Sequence, residues 1–250
     1  MKYILGMTWR EGRIRLRNPV LPLWDILSPL IYLVVFGASF EQWFQAPPGV
    51  PRYSAFFLAG VLAMVTFVIA WNSSYAFFED MQSGIFHELL TYPFPRRDLL
   101  LGKLIFNLFF ALLASALCAG AAGLLLDLHF SPAVWAEVFL MLIPGMAGWY
   151  FFYTVLALKL RGFNAYHTTT SAIFLALNFV SNVFYPVSAL PRWLRAAAWL
   201  NPVTWQDDLM RWPILGGPFT RTLQVEAAAF LGFTGIAYFI ANRALNAPIE

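Results

Sequence analysis

The stretch AFFLAGVLAMVTFVIAWNSSYAFF, residues 55–78, carries no charged side chain and is followed at once by EDMQSGIFHELLTYPFPRRDLLLGK, residues 79–103, which holds four acidic and three basic ones. The first stretch is long enough to cross a bilayer, because a hydrocarbon core about 30 Å thick takes about 20 helical residues. A helix is the form expected, since it satisfies its own backbone polar groups where no water is present. The same reading finds five more apolar runs, at residues 23–40, 99–126, 138–158, 166–185 and 223–241. Composition agrees: with 60% hydrophobic and 12% charged residues and a mean hydropathy of +0.65, the 250-residue chain has too few polar groups to cover a soluble globule. The expected fold is an all-α integral membrane protein with six transmembrane helices in a single domain, residues 1–250.

An even number of spans puts both termini on one side. Lys2, Arg10, Arg13, Arg15, Arg17, Arg96, Arg97, Lys103, Lys159, Arg161 and Arg243 then share the side of the termini, and Arg52, Arg192, Arg195, Arg211 and Arg221 face the other. The excess of Lys and Arg marks the first side as cytoplasmic. The net charge of +3 and the pI of about 9.1 therefore report topology. Nucleic-acid binding is not indicated, since no soluble segment holds a dense basic cluster interleaved with aromatics.

Three segments outside the spans stand out. Residues 1–20 place Arg10, Arg13 and Arg17 on one helical stripe and Leu5, Trp9 and Leu16 on another, which suits a helix in the lipid headgroup layer; a basic tail that only fixes topology is the alternative. The charge-rich connection, residues 79–98, contains Gly84-Ile85-Phe86-His87-Glu88-Leu89-Leu90, pairing Ile85 with Leu89 and Phe86 with Leu90 at i, i+4 before Pro93 and Pro95 stop the helix. A short amphipathic helix on the membrane face is shaped to be gripped by another protein, and the acidic pair Glu79-Asp80 reads as a solvated boundary leading to it. Residues 186–222 hold two short apolar pieces punctuated by Pro186, Pro191 and Pro202, too short to span. With Trp193, Trp199 and Trp205 they suit a helical hairpin dipping into the outer leaflet, or an amphipathic outer loop.

Catalytic signatures are missing. The chain has neither G-x-S-x-G nor H-E-x-x-H, and His87, His129 and His167 are scattered. Asp207 and Asp208 are adjacent and would point about 100° apart on a helix, which disfavours a shared metal. The lone Cys118 lies in an apolar run and can form neither an intrachain disulfide nor a cysteine metal site. Deep charge, expected of an ion-coupled secondary transporter or channel, is nearly absent, and Lys103 is near enough to a run's end to snorkel. Such an ATP-independent transporter is the alternative function. In the fifth run Asn178 and Asn182 share a face and mark either interhelical hydrogen bonds or the lining of a path. Phe67 and Trp71, with Tyr32, Phe36, Phe174 and Phe179, are candidates to line a route for an amphiphile, or to face lipid. Ala111, Ser115, Ala119 and Gly123 recur every four residues on the third run as a smooth packing stripe.

These features in this order resemble the type-2 permease subunits of ABC exporters. The likeness rests on the basic amphipathic N-terminus, the pattern from Gly84 through Glu88-Leu89-Leu90-Thr91 to Pro93, Arg96 or Arg97 and Gly102-Lys103, the Phe184-Tyr185-Pro186 to Leu190-Pro191 pattern, and Asn201-Pro202-Val203-Thr204-Trp205 followed by Asp208 and Arg211. It covers essentially the whole chain. The resemblance implies that Gly84, Ile85, Phe86, His87, Glu88, Leu89, Leu90 and Pro93 form a coupling helix docking on a separate ABC-type ATPase, with His87 standing where a Glu is common. It further implies pairing with a second permease copy or sister subunit, a bacterial plasma-membrane location, and outward movement of an amphipathic, lipid-linked or drug-like substrate. No G-x-x-x-x-G-K-[ST] occurs, so ATP and Mg are expected on the partner and no cofactor on this chain.

Overall fold

A computed structural model describes residues 2–43, 52–93 and 95–246. They form ten α-helices and no strand: α1 Lys2–Arg17, α2 Val20–Trp43, α3 Tyr53–Gln82, α4 Ile85–Thr91, α5 Arg96–Leu125, α6 Pro132–Lys159, α7 Phe163–Phe179, α8 Arg192–Trp199, α9 Pro202–Leu215 and α10 Arg221–Asn246, with a 3-10 turn at Val187–Ala189. The stretch at 55–78 becomes the axis of the bundle. Every residue of α3 from Tyr53 to Ala70 is buried, and the helix is surrounded by α2, α5, α6 and α9. The exposed apolar surface is carried elsewhere: Phe109 and Leu117 on α5 and Leu231, Ile236 and Phe239 on α10 stand exposed.

Five helices, α2, α3, α5, α6 and α10, are long and apolar enough to cross a membrane. The sixth expected run, 166–185, is helical only to Phe179; α7 has 17 residues, roughly 26 Å at ~1.5 Å each, and the chain then turns from Val180 to Tyr185. The reason is polar, and its source lies more than twenty residues along the chain. The side-chain amide of Asn201 donates to the carbonyls of Leu177 and Val180, both at 2.7 Å, and the Arg211 guanidinium donates to the carbonyl of Asn182. These groups satisfy carbonyls a continuing helix would have bonded itself, so α7 can end without orphaned acceptors.

Because lipid tails are as apolar as the side chains, helix association in a membrane relies on close packing and on hydrogen bonds. Gln206 of α9 supplies such bonds: its amide nitrogen donates to Thr66 of α3 at 2.8 Å, and its oxygen accepts from the Trp149 indole of α6 at 2.6 Å. The segment 186–222 divides in two. The 3-10 turn and α8 are peripheral, with Trp193 75% exposed, but α9 is buried among α3, α6 and α10. Asn201 caps α9, its side-chain oxygen accepting from Val203 N–H at 2.9 Å, and Pro202 occupies the first helical position where no donor is needed. The small stripe of α5 is turned inward at Ala111 and Ser115.

Helix α1 lies along α5 at close range. A Cβ on Gly102 would stand 2.5 Å from Met7 Cβ and 2.9 Å from the Ile4 carbonyl, so the absent side chain sets the approach; Thr8 donates to the Gly102 carbonyl at 3.0 Å. The opposite face of α1 exposes Leu5, Trp9 and Leu16, the apolar stripe expected from the sequence.

Candidate functional site

The connection between α3 and α5 is built by backbone punctuation. Gly84 ends the turn after α3 with φ +78°, a conformation in which a Cβ would crowd the following carbonyl. Helix α4 then runs for seven residues and stops at Tyr92, whose extended backbone is the one favoured before Pro93. Pro95 precedes α5, Asp98 sits in its first turn, and Arg96 donates to the Leu245 carbonyl near the end of α10 at 2.7 Å. The loop is thus tied at its far side to the last helix.

Of the residues singled out in α4, two face opposite ways. Phe86 is 2% exposed and its ring lies 5.3 Å from that of Phe77, a buried residue of α3. Ile85 is 40% exposed, and Gly84, Glu88 and Pro93 are exposed with it; Leu89 is half-buried against the core. The side chains of His87 and Leu90 lie outside the described residues. Helix α4 is therefore held by an inward anchor and leaves a free ridge at Ile85 and Glu88.

Directly behind it lies a cluster the sequence reading missed. Lys103 was expected to snorkel, yet it is 2% exposed, with its ammonium 2.9 Å from Glu11 and 3.0 Å from Asp80. Asp80, expected at a solvated boundary, is buried and also paired with Arg10 at 2.9 Å; Glu79 beside it is exposed. Arg15 pairs with Asp25 at 3.2 Å and donates to Asn107 at 2.8 Å, while Asn107 donates to Ser73 at 2.6 Å and Asn72 donates to Asp25. Three cations (Arg10, Arg15, Lys103) face three anions (Glu11, Asp25, Asp80), so the cluster is neutral although it is buried. It joins α1, α2, α3 and α5, and Asp80 belongs to the last turn of α3 from which α4 hangs. The one signal available in the sequence was the i, i+4 pair Lys103 and Asn107, two polar residues on one face of an apolar run.

The candidate path residues divide. A cavity of about 390 Å³ opens between α2, α3 and α7, lined by Tyr32, Phe36, Phe174, Asn178, Phe179 and Phe184 among others. Asn178 thus reaches it, its amide also donating to the Phe174 carbonyl at 2.9 Å. Phe67 does not: it sits behind Phe174, stacked on it at 5.1 Å and edge-on to Trp149 at 4.4 Å. Trp71 stacks on the same Phe174 at 4.8 Å and lines a different, smaller hollow with Tyr75 and Tyr166. Asn182 is turned towards α9, donating to Asp208 at 2.7 Å.

In 186–222, Pro186 leads into the 3-10 turn, Pro191 precedes α8, and Arg195 ties the two by donating to the Leu190 and Ser188 carbonyls at 2.8 and 2.6 Å. Asp208 and Arg211, three residues apart on α9, pair at 3.3 Å, and Asp207, one turn before Arg211, pairs with it at 2.9 Å. The Arg211 guanidinium lies 3.7 Å from the centre of the Phe56 ring.

Comparison with known proteins places this architecture. The family model described as ABC-2 type transporter matches residues 3–215. The chain is 28% identical over 203 residues to a protein called transport permease ycf38 from Cyanophora paradoxa, the match covering 78% of this chain and 68% of that protein. It is 25% identical over 199 residues to the daunorubicin resistance ABC transporter permease protein DrrB1 of Streptomyces coeruleorubidus, covering 78% and 69%. The chain is a multi-pass membrane protein that belongs to the ABC-2 type transporter family.

Proposed function

We propose that this chain is the transmembrane subunit of an ATP-driven exporter, worked by a separate ATP-binding-cassette ATPase that holds ATP and Mg and grips α4. The observation that carries the reading is the two-sidedness of α4, with a free ridge of Ile85 and Glu88 on one side and Phe86 locked against Phe77 on the other. A push on the ridge passes through Phe86 to the end of α3. From there the ion cluster passes it to α1, α2 and α5, because Asp80 cannot move without Lys103 and Arg10 following or leaving a charge unpaired. A floppy loop could not transmit load; a short helix with a packed anchor and a charge-locked base can.

In this reading the end carrying α1 and α4 is cytoplasmic, both termini lie there, and the membrane is the bacterial plasma membrane. The positive-inside distribution supports it. In the same reading 186–222 is the re-entrant hairpin and loop on the outer side, with α9 turned into the bundle, and α7 with the turn after it is the sixth span. The exposed apolar residues Leu27, Ile31 and Val35 of α2 and Leu175 and Phe179 of α7 are offered to a second permease copy or sister subunit. The aromatic cavity beside them, with Asn178, suits an amphipathic, lipid-linked or drug-like cargo, and the drug-resistance name of DrrB1 fits that range.

The test is copurification with a tagged ATPase encoded beside this chain, comparing the native permease with an Ile85→Asp, Glu88→Arg variant. Loss of association with the permease still folded is expected; unchanged association and ATPase activity would sink the docking role.

A further inference from the structure

Between α9 and α10 lies an open cavity of about 380 Å³, lined by Trp199, Asp208, Arg211, Trp212, Leu223 and Glu226 among others. It sits at the opposite end of the bundle from α4, since α10 runs from Arg221 beside the cavity to Leu245, whose carbonyl meets Arg96 at the start of α5. The charges here do not balance. Asp207 and Asp208 both pair with Arg211, at 2.9 and 3.3 Å, and Asp208 accepts from Asn182 as well. Glu226 is left over: it is 4% exposed, neither carboxylate oxygen has a hydrogen-bond partner, and no cation pairs with it among the described residues. Three carboxylates thus share one guanidinium, and an ionised carboxylate buried without partner is costly. A bound cation would offset that cost, which the carboxylate otherwise meets by taking up a proton.

The surroundings say which kind. Among the described residues no group of three or more His, Cys, Asp or Glu is placed to hold a metal ion. The walls are two indoles, with Trp212 fixed by donating to the Gly217 carbonyl at 3.1 Å and by an edge contact with Phe219 at 4.9 Å, together with the aliphatic Leu215 and Leu223. Aromatic faces beside a carboxylate attract organic ammonium groups, which carry apolar substituents as well as charge. The volume falls in the range of small-molecule sites.

We propose that this cavity is a binding site for an organic ammonium group, with Glu226 as its counterion, Trp199 and Trp212 as its aromatic walls, and Arg211 holding Asp207 and Asp208 in place. The ammonium can belong to a free amphiphilic amine or to a phospholipid headgroup; the site chemistry is the same. The proposal is independent of ATPase docking and is tested on the permease alone.

The experiment measures equilibrium binding of tritiated phenethylamine to the purified chain in nanodiscs of phosphatidylglycerol, with 2-phenylethanol as a neutral competitor. Saturable binding that the alcohol does not displace is expected, weakened about tenfold or more by Glu226→Gln, as for loss of a charged partner. Trp212→Leu should weaken it about threefold or more through the lost ring, while Glu226→Asp keeps the charge and retains saturable binding. Trp193→Leu, on α8 outside the cavity, should leave it unchanged. If Glu226→Gln fails to fold, the Trp212→Leu and Glu226→Asp arms decide. In nanodiscs of phosphatidylethanolamine, an apparent affinity lowered severalfold identifies the lipid headgroup as an occupant, and an unchanged affinity identifies a free amine. Absence of saturable binding, equal displacement by the alcohol, or wild-type affinity in Glu226→Gln would overturn the proposal.

Discussion

Replacing Lys103 by Met removes one ammonium from a buried cluster and keeps the length of the stem. Lys103 is held at 2.9 Å from Glu11 and 3.0 Å from Asp80. After the change Asp80 keeps Arg10, but Glu11 keeps only Arg15 at 3.9 Å, so two cations face three buried anions. Breaking a buried pair by deleting one partner costs about 3–5 kcal/mol, because the remaining charge is stranded. For a chain of this size ~1 kcal/mol moves an unfolding midpoint by 2–4 °C, so the midpoint should fall by roughly 6–20 °C. Cys118 provides the assay: it is the one cysteine of the chain and is fully buried, so a thiol-reactive fluorophore reports unfolding in detergent directly. The double variant Lys103→Met, Glu11→Gln restores two cations against two anions and should recover most of the loss. A midpoint within about 2 °C of the native one, or a double variant no better than the single, would refute the view that charge balance holds α1, α3 and α5 together.

Three further outcomes follow from packing. Gly102→Leu must displace Met7 and the Ile4 backbone, and should lower the Cys118 midpoint by the equivalent of about 1–3 kcal/mol while raising proteolysis of α1. Gln206→Leu leaves the buried Trp149 indole without its acceptor and Thr66 without its donor; a loss of about 1–3 kcal/mol per stranded group is expected, with a changed near-ultraviolet signal from Trp149. Gly84→Val forces a β-branched residue to φ +78°, at a cost of about 1–2 kcal/mol confined to α4, so ATPase association should weaken while the Cys118 midpoint hardly moves.

The helical membrane fold was legible because it depends on composition and run length alone: the uncharged stretch at 55–78 could only be a buried or spanning helix, and it became the axis of the bundle. Periodicity also located α4, and Pro93 and Pro95 marked its end. What it could not give was the partner of each face. Phe86 and Ile85 are neighbours in an amphipathic helix, yet one is an internal anchor and the other is free, a difference set by Phe77 one helix away. Lys103 near the end of an apolar run has the same local sequence whether it snorkels or pairs, and only the packing of α1 on α5 brings Glu11 to it. The early end of α7 and the burial of α9 have a common cause of this kind, since Asn201, Gln206 and Arg211 find their partners on other helices. Nothing in an apolar run of twenty residues announces that a distant amide will cap it before its end.

The most direct measurement is a photo-cross-linking residue placed at Glu88 of α4 and, separately, at Trp193 of α8, in membranes containing the ATPase subunit. An adduct with the ATPase is expected from position 88 and none from position 193. An adduct from position 193, or none from position 88 with both proteins present and folded, would contradict the docking role of α4.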